Sequence, residues 1–242
     1  MFPFFVFYSN NQKMEAQQII ELLTNYVTTE RLETLNRVID ERTNYISVVL
    51  EDIFQNHNAS AVLRSCDCFG IQNVNFIENR YSYMENKDVA MGSSQWLSIR
   101  RFNQKENNTL DAINAIREAG YRIVATTPHT NDVLIKDLDL SKGKIALFFG
   151  SEKPGLSDIV MENADEFVRI PMYGFTESFN ISVSAALCLY ELTARLRNSN
   201  IDWHLSAKER TELLAQWMKL SARSADWLIK EHEKRELKVK SY

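Results

Sequence analysis

The chain has 242 residues, 45% hydrophobic and 25% charged, the balance of a folded globular protein rather than a disordered one. No apolar run approaches the ~20 residues that cross a bilayer, so no membrane partner is expected. With 28 Lys/Arg against 32 Asp/Glu the net charge is −4, which speaks against nucleic-acid binding by bulk charge, and three cysteines (Cys66, Cys68, Cys188) without a C-x-x-C pair form neither a disulfide framework nor a metal site.

In chain order, Met1 to Tyr8 is almost wholly apolar but lacks the basic start and small-residue cleavage site of a signal peptide. Met14 opens a better soluble sequence, and residues 1–13 are set aside as an uninformative leader. Residues 14–44 read as an N-terminal helical extension. Ile19, Leu22, Leu23, Tyr26 and Val27, then Leu32, Leu35 and Val38, recur at helical spacing, and Thr28 to Glu30 divides them into two helices. Tyr45 to Leu50 is a β-branched strand. After the polar loop from Glu51 to Asn58, a helix from Ala59 to Phe69 is closed by Gly70. Strands are expected at Asn73 to Ile77, Trp96 to Phe102, Tyr121 to Thr127, Lys144 to Phe149 and Glu166 to Ile170. Helices are expected at Thr109 to Ala119, Ser157 to Ala164 and Asn180 to Arg197. Alternating strands and helices mean an α/β fold with a mostly parallel sheet and helices on both faces. Periodicity by itself reads as an ordinary Rossmann-like body over 45–198. Residues 199–206 read as a linker, and 207–236 as one last helix inside a basic C-terminal extension, 199–242. Residues 195–242 hold 11 Lys/Arg and 7 Asp/Glu, a net of +4 on a body of net −8. Such an end is either a solvated helix face or a phosphate-facing patch.

Three segments carry chemistry. Gly150-Ser-Glu-Lys-Pro-Gly155 joins a buried strand to a helix, with glycines five apart as in a phosphate-binding loop. That loop requires Lys after the second glycine, and Leu156 stands there; Glu152 would also repel phosphate. Ile170-Pro-Met-Tyr-Gly-Phe-Thr-Glu-Ser-Phe-Asn-Ile-Ser182 gathers Glu177, Ser178, Asn180 and Ser182 at one strand-to-helix junction, more than capping alone needs. Carboxyl-end loops of this kind bind ligands in open α/β sheets. In Asn58-Ala-Ser-Ala-Val-Leu-Arg64, Asn58 is either an N-cap or a site residue, and Arg64 either snorkels to a carboxylate or grips phosphate from a cleft.

Taken in order, these segments resemble the three motifs of the SpoU (TrmH-type) RNA 2′-O-ribose methyltransferases of the SPOUT superfamily. The resemblance runs from about Arg31 to Arg197 and is nearest to the tRNA guanosine methyltransferases, which share the short helical start, Val89-Ala-Met-Gly-Ser-Ser-Gln-Trp96 and a helical tail. It implies a C-terminal trefoil knot, a cytoplasmic homodimer with its site at the subunit interface, and S-adenosylmethionine as cofactor. It further implies methyl transfer to a ribose 2′-hydroxyl, with a guanosine of the tRNA D-loop as target. Thr126, Gly150, Ile170 and Phe179 would hold the cofactor, and Arg64, Asn58, Glu152, Ser178 and Asn180 would form the catalytic set. Arg64, Arg195 and Arg197 would contact RNA, and the basic tail, including Arg195, Arg197, Lys208 and Arg210, would lie on tRNA phosphates. Arginine stays protonated at neutral pH, so Arg64 reads as a cation that stabilises a developing alkoxide rather than as a base. The alternatives are a ribosomal-RNA ribose methyltransferase and a non-catalytic module that binds RNA or the cofactor on the same fold.

Overall fold

The computed structural model describes residues 14–128, 132–151 and 153–239, so expectations for 1–13 lie outside it. The chain divides into two compact units, one of residues 41–205 and one made from both ends, up to 40 and from 206.

The larger unit is a seven-stranded sheet in the order β3-β2-β1-β6-β4-β7-β5, all neighbours parallel. Its strands are β1 (Thr43–Glu51), β2 (Ile71–Ile77), β3 (Ser98–Phe102), β4 (Arg122–Thr126), β5 (Val133–Leu134), β6 (Ile145–Phe149) and β7 (Glu166–Arg169). The sequence expectation missed β5, which has two residues and no room for a period. It also took Trp96 as strand, where a 3-10 turn, Ser93–Trp96, precedes β3. β1 and β6 are buried at every position, because helices cover both faces of the sheet. The pleat sorts their side chains: Ile46, Val48, Leu50, Ile145, Leu147 and Phe149 enter one core, and Val49, Ala146 and Phe148 the other. The first core lies under α3 (Asn56–Cys68) and α7 (Ile181–Arg197); the second lies under α5 (Thr109–Glu118) and α6 (Asp158–Asn163).

α3 starts earlier than expected because Gln55 occupies the N-cap position, so Asn58 sits inside the first turn and is no cap. Gly70 ends this helix at φ +77, and a Cβ there would overlap the carbonyl oxygen of Glu41. Residues 199–205, read as a linker, are part of this unit. Thr43 Oγ1 donates to the Trp203 carbonyl over 2.6 Å, and the Arg197 guanidinium stands 4.5 Å from the Trp203 ring centre.

The smaller unit is helical: α1 (Ala16–Thr24), α2 (Thr29–Ile39), α8 (Ala207–Ser221) and α9 (Ala225–Val239). Thr28 caps α2, and Ser206 with Glu209 makes a capping box at α8. Leu213, Leu214, Trp217 and Met218 are buried on α8, which packs on α1 and α2. The expected single tail helix is two. The break falls at Ser224, whose φ of 61 is incompatible with a continuing helix, and Leu220 and Trp227 are left exposed instead of joining the buried stripe. The larger unit also contains a short helix, α4 (Lys87–Ala90), and 3-10 turns at Ile135–Asp137 and Leu140–Lys142.

Candidate active site

The loops that follow β1, β4, β6 and β7 all leave the carboxyl end of the sheet, the edge where parallel α/β sheets bind ligands. Each loop is held by specific bonds. After β6, Gly150 turns so tightly that a Cβ would overlap the backbone of Gly155 and Leu156, and Gly155 itself has φ +94. The loop ends at Ser157, whose hydroxyl caps α6. Ser157 is tied back to β1: its Oγ donates to Glu51 Oε1 over 2.7 Å and its N–H donates to Glu51 Oε2 over 2.8 Å. Glu51 is 2% exposed and also accepts from Thr109 Oγ1 at 2.8 Å, so this carboxylate is fully ringed by donors.

After β7, the loop ends at Asn180. Its Oδ1 accepts from the Ser182 N–H (2.9 Å) and hydroxyl (2.6 Å), capping α7. Its Nδ2 donates to Oδ1 of Asn58 at 3.0 Å, and Asn58 Nδ2 donates to Gln55 Oε1 at 2.9 Å. One side chain therefore starts a helix and joins the third sequence motif to the first. Thr126, at the end of β4, donates to the Phe148 carbonyl over 2.8 Å and so fixes its own end of the sheet to β6.

Two cavities result. One, of about 640 Å³, is lined by Thr126, Gly150, Ile170 and Phe179, with Leu156 and Met172 among the apolar walls. All four residues expected to hold the cofactor thus share one chamber. The other, of about 540 Å³, contains Asn58, Ser178 and Asn180 with Phe54, Tyr81 and Lys153. Ser151, Ser178, Phe179 and Ile181 line both, so the cavities adjoin. The first has the size and mostly apolar lining of a small-molecule site, with backbone exposed at a glycine that admits close approach. The residues present fit an adenosyl cofactor: apolar walls for a base, and carbonyls and hydroxyls for the polar edge.

Arg64 lines neither cavity. It is exposed on α3 and, among the described residues, has no hydrogen bond or ion pair, so within this chain it neither reaches a carboxylate nor sits in either cavity. Glu152 lies outside the described residues. Arg195 is half-buried and donates to the carbonyls of Ile135 (3.0 Å) and Leu138 (2.6 Å), while Arg197 pairs with Glu41. Arg210 pairs with Asp40 at 2.8 Å, and Lys208 stands 4.0 Å from Glu212. Lys219, Arg223, Lys230 and Lys234, by contrast, are exposed with no such partner among the described residues.

Sequence reading missed Phe54, Tyr81 and Lys153. Phe54 was passed over as part of a polar loop; the available signal was a large apolar residue next to a strand's carboxyl end. Cys66 and Cys188 are buried, and burial pushes the Cys188 thiol up to about 12 and the Cys66 thiol further, so both behave as inert apolar groups. Among the described residues, no group of three or more His, Cys, Asp or Glu could hold a metal, and no helix is long and apolar enough to cross a membrane.

The chain is 41% identical over 194 residues to the tRNA (guanosine(18)-2′-O)-methyltransferase of Borreliella burgdorferi, covering 80% of this chain and 87% of that one. The crystal structure of the Aquifex aeolicus TrmH/SpoU tRNA modifying enzyme is similar with a TM-score of 0.70 and 27% identity, over 79% of this chain and 96% of that one. The SpoU methyltransferase AviRb from Streptomyces viridochromogenes, solved in complex with AdoMet, is similar with a TM-score of 0.54 and 25% identity, over 68% and 62% of the two chains. Residues 45–190 match the SpoU rRNA Methylase family, and that span carries both cavities and every loop that builds them: the chain belongs to this family.

Proposed function

We propose that this chain transfers the methyl group of S-adenosylmethionine to the ribose 2′-oxygen of a guanosine in tRNA. The observation that carries the reading is the pair of adjoining cavities that share Ser178 and Phe179, one fit for the cofactor and one lined by Asn58 and Asn180. The printed activity of the Borreliella burgdorferi relative supplies the nucleoside and the RNA class.

Thr126, Gly150, Ile170 and Phe179 hold the cofactor, which supplies, when bound, a methyl group on a sulfonium leaving group. The chain's own task is then alignment and electrostatics. The bond between Asn180 and Asn58 fixes the wall against which the ribose lies, and Ser178 lines both cavities. Glu152 belongs with this set by motif. Arg64 supplies a fixed positive charge that grips a phosphate and stabilises the oxygen as its proton passes to water.

Arg64 stands outside both cavities, so the site is completed by a second copy of the chain, and the protein works as a homodimer. The knot expected of the family fits a sheet order in which β6 lies between β1 and β4 and the loops after β6 and β7 line one chamber. Lys219, Arg223, Lys230 and Lys234 extend the phosphate contacts over the smaller unit, and Arg195 and Arg197 join them only if their internal bonds open. The unit 41–205, which includes the body 45–198, is the methyltransferase unit, and the helices up to residue 40 and from 206 are the extensions. The work takes place in the cytoplasm, on tRNA. Mass-spectrometric mapping of ribose methylation in tRNA and rRNA, with and without the protein, tests the reading. Loss of one 2′-O-methylguanosine in tRNA supports it, and a loss confined to rRNA, or none, overturns it.

A further inference from the structure

The second cavity contains two aromatic rings to which the proposed function gives no role. Phe54, in the loop after β1, is 67% exposed, and Tyr81, in the loop after β2, is 42% exposed. Their ring centres are 5.0 Å apart and inclined at 67°, an edge-to-face pair standing in solvent. The lining beside them mixes the polar side chains of Gln55, Asn58, Ser178 and Asn180 with apolar Ile53 and Ile181, and includes the exposed cation Lys153. Large apolar rings beside polar side chains suit a flat ligand with an apolar face and a hydrogen-bonding edge.

A nucleobase is such a ligand. A ribose whose 2′-oxygen enters the space around Ser178 carries its base one glycosidic bond away, and the adjoining space on that side is the cavity of Phe54 and Tyr81. Enzymes that act on a nucleotide inside folded RNA draw it out of its stack and replace the lost stacking with aromatic side chains. A protein segment laid on the same rings would close the approach to Ser178 and Asn180. We infer that Phe54 and Tyr81 form the platform on which the extruded target base stacks, with Lys153 on an adjacent phosphate. This deepens the proposed function and rests on it.

The test uses the full chain, an unmodified tRNA transcript and the variants Phe54→Ala, Tyr81→Ala, Phe54→Leu and Phe54→Trp. Both rings are exposed, so the substitutions leave the cores intact. Loss of one stacking partner is expected to lower kcat/KM about tenfold or more, chiefly through KM for tRNA, with the calorimetric Kd for AdoMet within about twofold of wild type. Phe54→Trp restores activity and Phe54→Leu does not, because a leucine keeps bulk and loses the flat face. Alanine variants within twofold of wild type, or full rescue by leucine, overturn the inference. So does a change in oligomeric state by sedimentation, which assigns the rings to a subunit contact. An inactive wild type brings down the functional reading, and this inference with it.

Discussion

Asn180 donates a hydrogen bond to Asn58, 122 positions earlier in the chain, and with its other amide atom it caps α7. The two roles separate on mutation. Asn180→Ala removes a cap, a loss of about 1 kcal/mol that lowers Tm by roughly 2–4 °C in a chain of this size. Asn58→Ala leaves the cap alone. Both variants lose at least about tenfold in kcat/KM, and the double variant loses little more than either single one, because the two amides act as one unit. Full additivity in that cycle would show that they act independently.

Gly150→Ala tests the cofactor chamber. The added methyl overlaps the Gly155 carbonyl, so the loop must open, and its far end is anchored through Ser157 to Glu51. Calorimetry is expected to give an AdoMet affinity at least about tenfold weaker, while far-UV circular dichroism is unchanged. An affinity equal to wild type would remove the chamber from the cofactor's path.

Glu78 sets an acid limit on the stability of the loops after β2 and β3, which it ties together through Tyr83, Arg101 and Asn103. Burial would push its carboxyl up, but bonds from Arg101, the Tyr83 N–H and Asn103 outweigh burial and hold it below the ordinary carboxylate value. The unfolded chain therefore takes up this proton first as pH falls. The contribution is complete above the ordinary value near ~4.3 and drains away as pH drops through the lower folded one. Urea midpoints should show wild type more stable than Glu78→Gln at pH 7, with the gap shrinking below about pH 4. A gap that stays constant to pH 3 would contradict this.

Salt dependence locates the RNA contacts. Lys219, Arg223, Lys230 and Lys234 lack internal partners among the described residues, whereas Arg195 bonds two carbonyls and Arg197 pairs with Glu41. Replacing any one of the first four by alanine should flatten the log–log salt slope of tRNA binding by roughly 0.7–0.9. Filter binding across a salt series measures it, and unchanged slopes in all four would remove the smaller unit from the interface.

How far these features are legible in sequence depends on whether the signal is local. β6 is an unbroken apolar run, β1 holds the β-branched stretch from Tyr45 to Leu50, and Thr28, Ser157 and Asn180 are capping residues beside helical periods, so those elements are readable from a few neighbouring residues. The insertion of β6 between β1 and β4 is a matter of pairing at long range, and nothing in the run from Ile145 to Phe149 names its neighbours. Asn58 shows the same limit at the site: locally it looks like a cap, and only its bond to Asn180 gives it another role. Glu51 looked like the first residue of a polar loop, yet it is buried under three donors from distant segments. The tail helices misled for the opposite reason, because the apolar spacing continued past Ser221 while the backbone turned at Ser224.

The most direct measurement incubates the full chain with methyl-labelled AdoMet and an unmodified tRNA transcript, then locates the label by nuclease digestion and mass spectrometry. The account predicts one 2′-O-methylguanosine with wild type, and none with Arg64→Ala although that variant binds AdoMet within a few fold of wild type. Label on a base, no label at all, or full activity without Arg64 would contradict it.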